Sequence, residues 1–140
     1  MVHSLCCVEN RVKDGVLEWC SQRLWTPEQG AEACSRPSIV KRGELFHLWY
    51  AVRSGAMGAR DYRIEHRFSL DGISWKRSSG GLDLFPTADI WESEMVCYPF
   101  VVESDQEITL YYSGNGFGRG GAGSTSIDLE IFDDFTATLL

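Results

Sequence analysis

A repeat at one fixed spacing restricts this chain more than any other feature. The segment Glu32 to Val40 (EACSRPSIV) lies over Glu94 to Val102 (EMVCYPFVV) without a gap, at an offset of 94 − 32 = 62. The same offset carries Leu48-Trp49-Tyr50-Ala51 onto Leu110-Tyr111-Tyr112-Ser113. The turn 41–44 then falls on 103–106. Repeats of this length mark supersecondary units that cannot hide both apolar faces alone and must stack on one another.

The residues within each copy are those of strands. Ser38 to Lys41 and Glu44 to Val52 are rich in β-branched and aromatic residues and flank a turn containing Gly43, which reads as a hairpin. Tyr62 to Ser69 alternates, and Leu70-Asp71-Gly72 turns the chain into a strand Ile73 to Lys76, Asp-Gly being a strong turn signal. Asp14-Gly15 with Trp19 repeats this element after the apolar stretch Leu5 to Val8. In the second copy, Ser126 to Phe132 reads as a third strand and Phe135 to Leu140 as a fourth, so helix has almost no place. The expectation is an all-β protein: a partial β-propeller of about two and a half four-stranded antiparallel blades in one domain, 1–140. It divides into an outer half-blade over about 1–25, a blade over 32–80 and a blade over 92–140. Its end faces lack partners, so completion by oligomerisation is expected, as a homodimer or higher homo-oligomer.

Composition excludes several classes. At 140 residues, 44% hydrophobic and 24% charged, the chain is an ordinary globular length and composition. A net charge of −7 repels phosphate backbones and argues against nucleic-acid and anionic-membrane partners. No apolar run has membrane-span length, and the first residues lack the pattern of a signal peptide, so a cytoplasmic location is expected. The five cysteines match neither a zinc site nor a disulfide framework and read as reduced, mostly buried thiols. His3, His47 and His66 have no ligand-spaced companions, so neither a metal nor a cofactor is expected.

Arg36-Pro37-Ser38-Ile39-Val40, Tyr62-Arg63-Ile64, Asp71-Gly72-Ile73-Ser74-Trp75, Trp91 to Pro99 and Tyr112 to Gly118 together resemble the glycosyl-hydrolase-like five-bladed propeller superfamily, which includes arabinanase-type and invertase-type enzymes. The resemblance implies carboxylates converging from the innermost strands on a central pocket. There, one carboxyl protonates a glycosidic oxygen and a second activates water or attacks the sugar. On that basis Glu94 is the candidate acid, with Asp61 a second carboxylate and Glu32 its repeat equivalent. Arg36 and Arg63 are candidate clamps for a sugar or carboxylate, and either could equally pair with Glu32 or Glu94. Trp91, Tyr98 and Asn115 complete the substrate-binding set, with Trp25, Trp49 and Tyr112 as further aromatic faces that could pack between blades instead. The invertase-like Arg-Asp-Pro is here Arg36-Pro37, and no second catalytic carboxylate is identifiable within one chain. Binding of a sugar or small ligand is therefore expected ahead of hydrolysis at a site shared between subunits, or of a purely structural role. The run Gly114 to Gly123 lacks a following helix and a Gly-Lys-Ser/Thr ending, so it reads as a flexible loop and not as a phosphate cradle.

Overall fold

The computed structural model describes residues 5–14, 16–25, 32–54, 61–78 and 81–140, and for 5–13, 16–25, 32 and 54 the main chain alone. In chain order the elements are β1 (Leu5–Lys13), β2 (Val16–Trp25), β3 (Glu32–Arg42), β4 (Leu45–Ser54), β5 (Arg63–Ser69) and β6 (Lys76–Arg77). There follow β7 (Cys97–Glu103), β8 (Glu107–Ser113), a helical turn α1 (Asn115–Gly118), β9 (Ala122–Asp128) and the helix α2 (Leu129–Ala137). The strands form three antiparallel sheets in sequence order: β1-β2, β3-β4-β5-β6 and β7-β8-β9.

The repeat is present in three dimensions down to its irregularities. In the β3-β4 hairpin Ser35 pairs with Ala51 and Ser38 with Trp49, with a bulge between them. In the β7-β8 hairpin Cys97 pairs with Ser113 and Phe100 with Tyr111, again across a bulge. Each of these residues is displaced by 62 from its counterpart. Within each bulge one residue has a left-handed backbone, Arg36 (φ 53°) and Tyr98 (φ 55°), and each precedes a proline. Bulges of this kind are designed features, because the extra residue re-aims a side chain. In the third strand the spacing tightens: Leu48 pairs with Arg67 but Leu110 with Thr125, an offset of 125 − 67 = 58.

The two larger sheets pack against each other because each has apolar residues at alternate positions on the facing side. β7 lies against β3, β4 and β5. Trp49 and Ile64 from one sheet meet Val96, Val101, Ile108, Leu110 and Tyr112 from the other. Each such side chain fully removed from water contributes about 1.5–3 kcal/mol before entropy is counted. The opposite face of the first sheet buries Cys34, Leu48, Tyr50 and Val52, with Trp75 against them. That face also holds a buried carboxylate, Glu65. It accepts from Tyr50 Oη (2.8 Å) and Arg63 Nε (2.9 Å), and Arg77 lies 3.2 Å away. Burying that charge is tolerable because each oxygen has a partner.

Four expectations change. Residues 126–132 are not one strand: β9 begins at Ala122, and from Leu129 the chain is helical. Phe135 to Leu140 does not form a fourth strand, since α2 runs to Ala137, and the second sheet has three strands. The cause is local. The Asp128 side chain accepts from Glu130 N and caps the helix, and Phe132 and Thr136 then turn inward. Phe132 lies edge-on to His47 at 4.8 Å, and Arg42 bonds Asp133 (2.6 Å) and Glu103 (2.7 Å), so α2 closes one end of the seam between the sheets. The strand expected over Ile73 to Lys76 shrinks to Lys76–Arg77, because Asp71 Oδ1 accepts from both Ile73 N and Ser74 N and extends the turn. Those amide bonds hold the Asp71 carboxyl well below the usual carboxylate range.

Lastly, the glycine run is not a slack loop. Gly114 N bonds Gly121 O and Gly120 N bonds Asn115 O, and the backbone folds around the indole of Trp91. A Cβ at Gly123 would lie 2.6 Å from that ring and one at Gly120 2.8 Å from the Trp91 carbonyl, so glycine is needed for close approach.

Candidate functional site

The ends of β4 and β8 and the starts of β3, β5 and β7 meet at one end of the two sheets, away from α2. A main-chain bond from Val96 N to Tyr62 O (2.9 Å) ties the segment before β7 to the segment before β5. It brings Asp61 and Glu94, both exposed, to the same end of the molecule.

Asn115 fixes the Glu94 loop. Its Oδ1 accepts from Glu94 N (2.8 Å) and Met95 N (3.1 Å), while its Nδ2 donates to the Ile90 carbonyl (2.8 Å) and to Ser93 Oγ (3.2 Å). With its amide group thus engaged, Asn115 orients the Glu94 segment. The neighbouring carboxylate Glu92 is buried and accepts from Thr87 Oγ1 (2.6 Å) and Tyr112 Oη (2.7 Å), so it is a structural acid. Burial, with this bond, pushes the Tyr112 phenol up. Of the two glutamates in this segment, Glu94 is the one open to solvent.

Across the same end runs a continuous ladder of rings and guanidiniums. Arg36 lies over the Tyr98 ring at 5.1 Å, Tyr98 stacks on Phe117 at 5.9 Å, Phe117 meets Tyr62 edge to face at 5.7 Å, and Arg53 lies over Tyr62 at 5.9 Å. Tyr98 and Phe117 remain 36% and 48% exposed. Four non-glycine residues among those described have left-handed backbones, and three of them, Arg36, Tyr98 and Phe117 (φ 61°), belong to this ladder. Such conformations cost about 1–2 kcal/mol each and persist where the surrounding fold imposes them, commonly at functional sites. Stacking occupies only the flat face of a guanidinium, so the N–H edges of Arg36 and Arg53 keep their capacity for a fork of hydrogen bonds. Neither makes an ion pair among the described residues.

The sequence-derived candidates separate accordingly. Arg36, Tyr98, Glu94 and Asp61 come to one end. Arg63 turns to the opposite face of the first sheet, 2.8 Å from Glu65. Trp91 is half-buried, stacked on Tyr112 at 5.5 Å, and Trp49 is buried in the core. The side chains of Glu32 and Trp25 lie outside those described. Arg53, Tyr62 and Phe117 join the ladder without a sequence signal: the spacing of Phe117 from the strands becomes meaningful only once the glycine run is folded.

A cleft of about 280 Å³ lies elsewhere, between the 81–84 segment and β8-β9, lined by Trp49, Leu82, Leu84, Ile108, Leu110 and Ile127 among others. Its carboxylate, Asp83, is taken up by His66 N and Arg77. No group of three or more His, Cys, Asp or Glu among the described residues is placed to hold a metal ion. Nor is any helix there long and apolar enough to cross a membrane.

This architecture is a mostly β, glycoside-hydrolase-like fold. A solved structure described as a glycoside hydrolase matches 76% of this chain with a TM-score of 0.55 at 16% identity, over 32% of its own length. A second, described as a complex of BT0996 and RGII, matches 77% with a TM-score of 0.52 at 14% identity, also over 32% of its length. No family model matches the sequence. In sequence the chain is similar to two Mycobacterium tuberculosis proteins, Uncharacterized protein MT1551 (strain CDC 1551 / Oshkosh) and Uncharacterized protein Rv1502 (strain ATCC 25618 / H37Rv). Each is 34% identical over 116 residues, 79% of this chain. The chain spans only 36% of the length of these relatives.

Proposed function

We propose that this chain is a carbohydrate- or small-ligand-binding protein built from about two and a half blades of a glycoside-hydrolase-like β-propeller. The ladder Arg36–Tyr98–Phe117–Tyr62–Arg53 is its ligand-facing end. The observation that carries the reading is the coincidence, at one end of the sheets, of three strained backbones, partly exposed aromatic rings and two guanidiniums without carboxylate partners among the described residues. Ring edges and faces meet the C–H faces of a sugar, and guanidinium edges bond its hydroxyls or a carboxylate. The buried free thiols Cys34 and Cys97 agree with a reducing, cytoplasmic setting.

A second reading is a glycoside hydrolase whose site is completed across a subunit interface. It draws on Glu94, exposed and held by Asn115, with Asp61 at the same end. Thermal-shift and calorimetric titration against a panel of mono- and oligosaccharides test the first reading, because a ligand that prefers the native state stabilises it by mass action. Binding lost in Arg36→Ala and Phe117→Ala supports it, and no binding across the panel counts against it. Turnover abolished in Glu94→Gln with binding retained would favour the hydrolase.

A further inference from the structure

Positions related by the repeat are covered unequally. On the first sheet Ser38, Val40 and Trp49 face the second: Ser38 Oγ accepts from Val101 N at 2.9 Å, and Trp49 is 3% exposed. Adding 62 to each gives Phe100, Val102 and Tyr111, which make the same patch on the outer face of the second sheet. Phe100 and Tyr111 pair directly across β7 and β8. Here they are 63% and 50% exposed, and Val102 is 39%. α2 does not cover them, since its buried Phe132 packs into the seam on the other side.

The face is also unusual in charge. By strand register, Thr109, Ser124 and Ser126 continue it, so its centre carries no ionised group in a chain that is 24% charged. Glu107 and Asp128 mark its turn end. A chain of net charge −7 approaches its own copy with least repulsion through such a face. Contiguous exposed aromatic and β-branched residues on a sheet mark an interaction site, and the same positions already form a sheet-on-sheet contact within the molecule.

We propose that this face binds a second copy of the chain, the two Phe100–Tyr111 patches meeting across a two-fold axis. An isologous contact needs only one self-complementary patch and closes at two subunits. The inference is independent of the ligand at the ladder.

Analytical ultracentrifugation of the whole chain tests it, beside a Phe100→Asp/Tyr111→Asp double variant and a milder Thr109→Lys variant checked for fold by circular dichroism. The expected result is a dimer at about micromolar concentration, strengthened by salt that screens the acids at the turn end. Both variants are expected to weaken it at least about a hundredfold. A wild-type monomer at about 100 μM, a dimer untouched by either variant, or open-ended larger assemblies would each overturn the proposal. Sugar titration of the monomeric variant keeps the two readings apart. Binding there leaves the ladder reading standing whatever the assembly, and an intact dimer without sugar binding counts against the ladder alone.

Discussion

Arg36 and Tyr98 are repeat equivalents, 98 − 36 = 62 positions apart, and they touch: the Arg36 guanidinium lies 5.1 Å from the centre of the Tyr98 ring. Each sits in the bulge of its hairpin, with a left-handed backbone before a proline. Two stacked copies of one unit thus bring the same irregular position together from both sides. The first prediction follows. At both positions a glycine variant should be more stable than the alanine variant by about 1 kcal/mol, because alanine keeps the left-handed strain and glycine does not. Paired thermal denaturation measures this, and equal stabilities would remove the strain.

The glycine run makes a second, independent prediction. Gly123→Ala should destabilise the fold by about 1–3 kcal/mol, because its Cβ enters the space of the Trp91 ring. Trp91→Leu should absorb part of that loss in a double-mutant cycle. A zero coupling energy by chemical denaturation would mean that the two residues do not share that space.

Much of this was legible in the sequence, and the misses have physical causes. The 62-residue offset held through the hairpins because their register is set by alternating apolar positions such as Leu48 with Tyr50 and Leu110 with Tyr112. It failed at the third strand, where the spacing falls to 58. α2 was hidden because Ile127, Leu129 and Ile131 alternate as a strand would, while Leu129, Phe132 and Thr136 share the helical face that is used. Asp128 ahead of Glu130 was the available signal. In the ladder Arg36 and Tyr98 were found through the repeat. Phe117 carries no pattern of its own, since only its left-handed backbone aims the ring at Tyr62 and Tyr98.

Glu65 gives a third prediction. Glu65→Gln leaves Arg63 and Arg77 without their shared carboxylate beneath Tyr50. Because Arg77 is half exposed, the loss should be about 2 kcal/mol, less than a fully buried pair would give. Urea denaturation measures it, and a change below about 0.5 kcal/mol, the scatter of ordinary surface substitutions, would show that Glu65 is not the anchor of that face.

The buried histidine pair makes stability depend on pH. His47 Nδ1 lies 3.1 Å from His66 Nε2, and His66 Nδ1 lies 2.9 Å from Ser78 Oγ. Burial pushes His47 down to about 4 and His66 lower still, the latter helped by its neighbour. The unfolded chain binds these protons near pH 6.5, so the stabilisation is complete above that pH. It is lost as pH falls through the interval to about 4 and below. Between pH 8 and pH 5 each histidine should withdraw about 2 kcal/mol. Denaturation at the two pH values checks the sum, and imidazole resonances titrating near 6.5 in the native protein would contradict it.

The ladder as the ligand-binding end is tested most directly by amide-resolved magnetic resonance during titration with the oligosaccharide panel. The predicted result is saturable shifts centred on Arg36, Arg53, Tyr62, Tyr98 and Phe117, absent in the Arg36→Ala/Phe117→Ala variant. Saturable shifts confined to the cleft between 81–84 and β8-β9, or no shifts with any sugar, would contradict it.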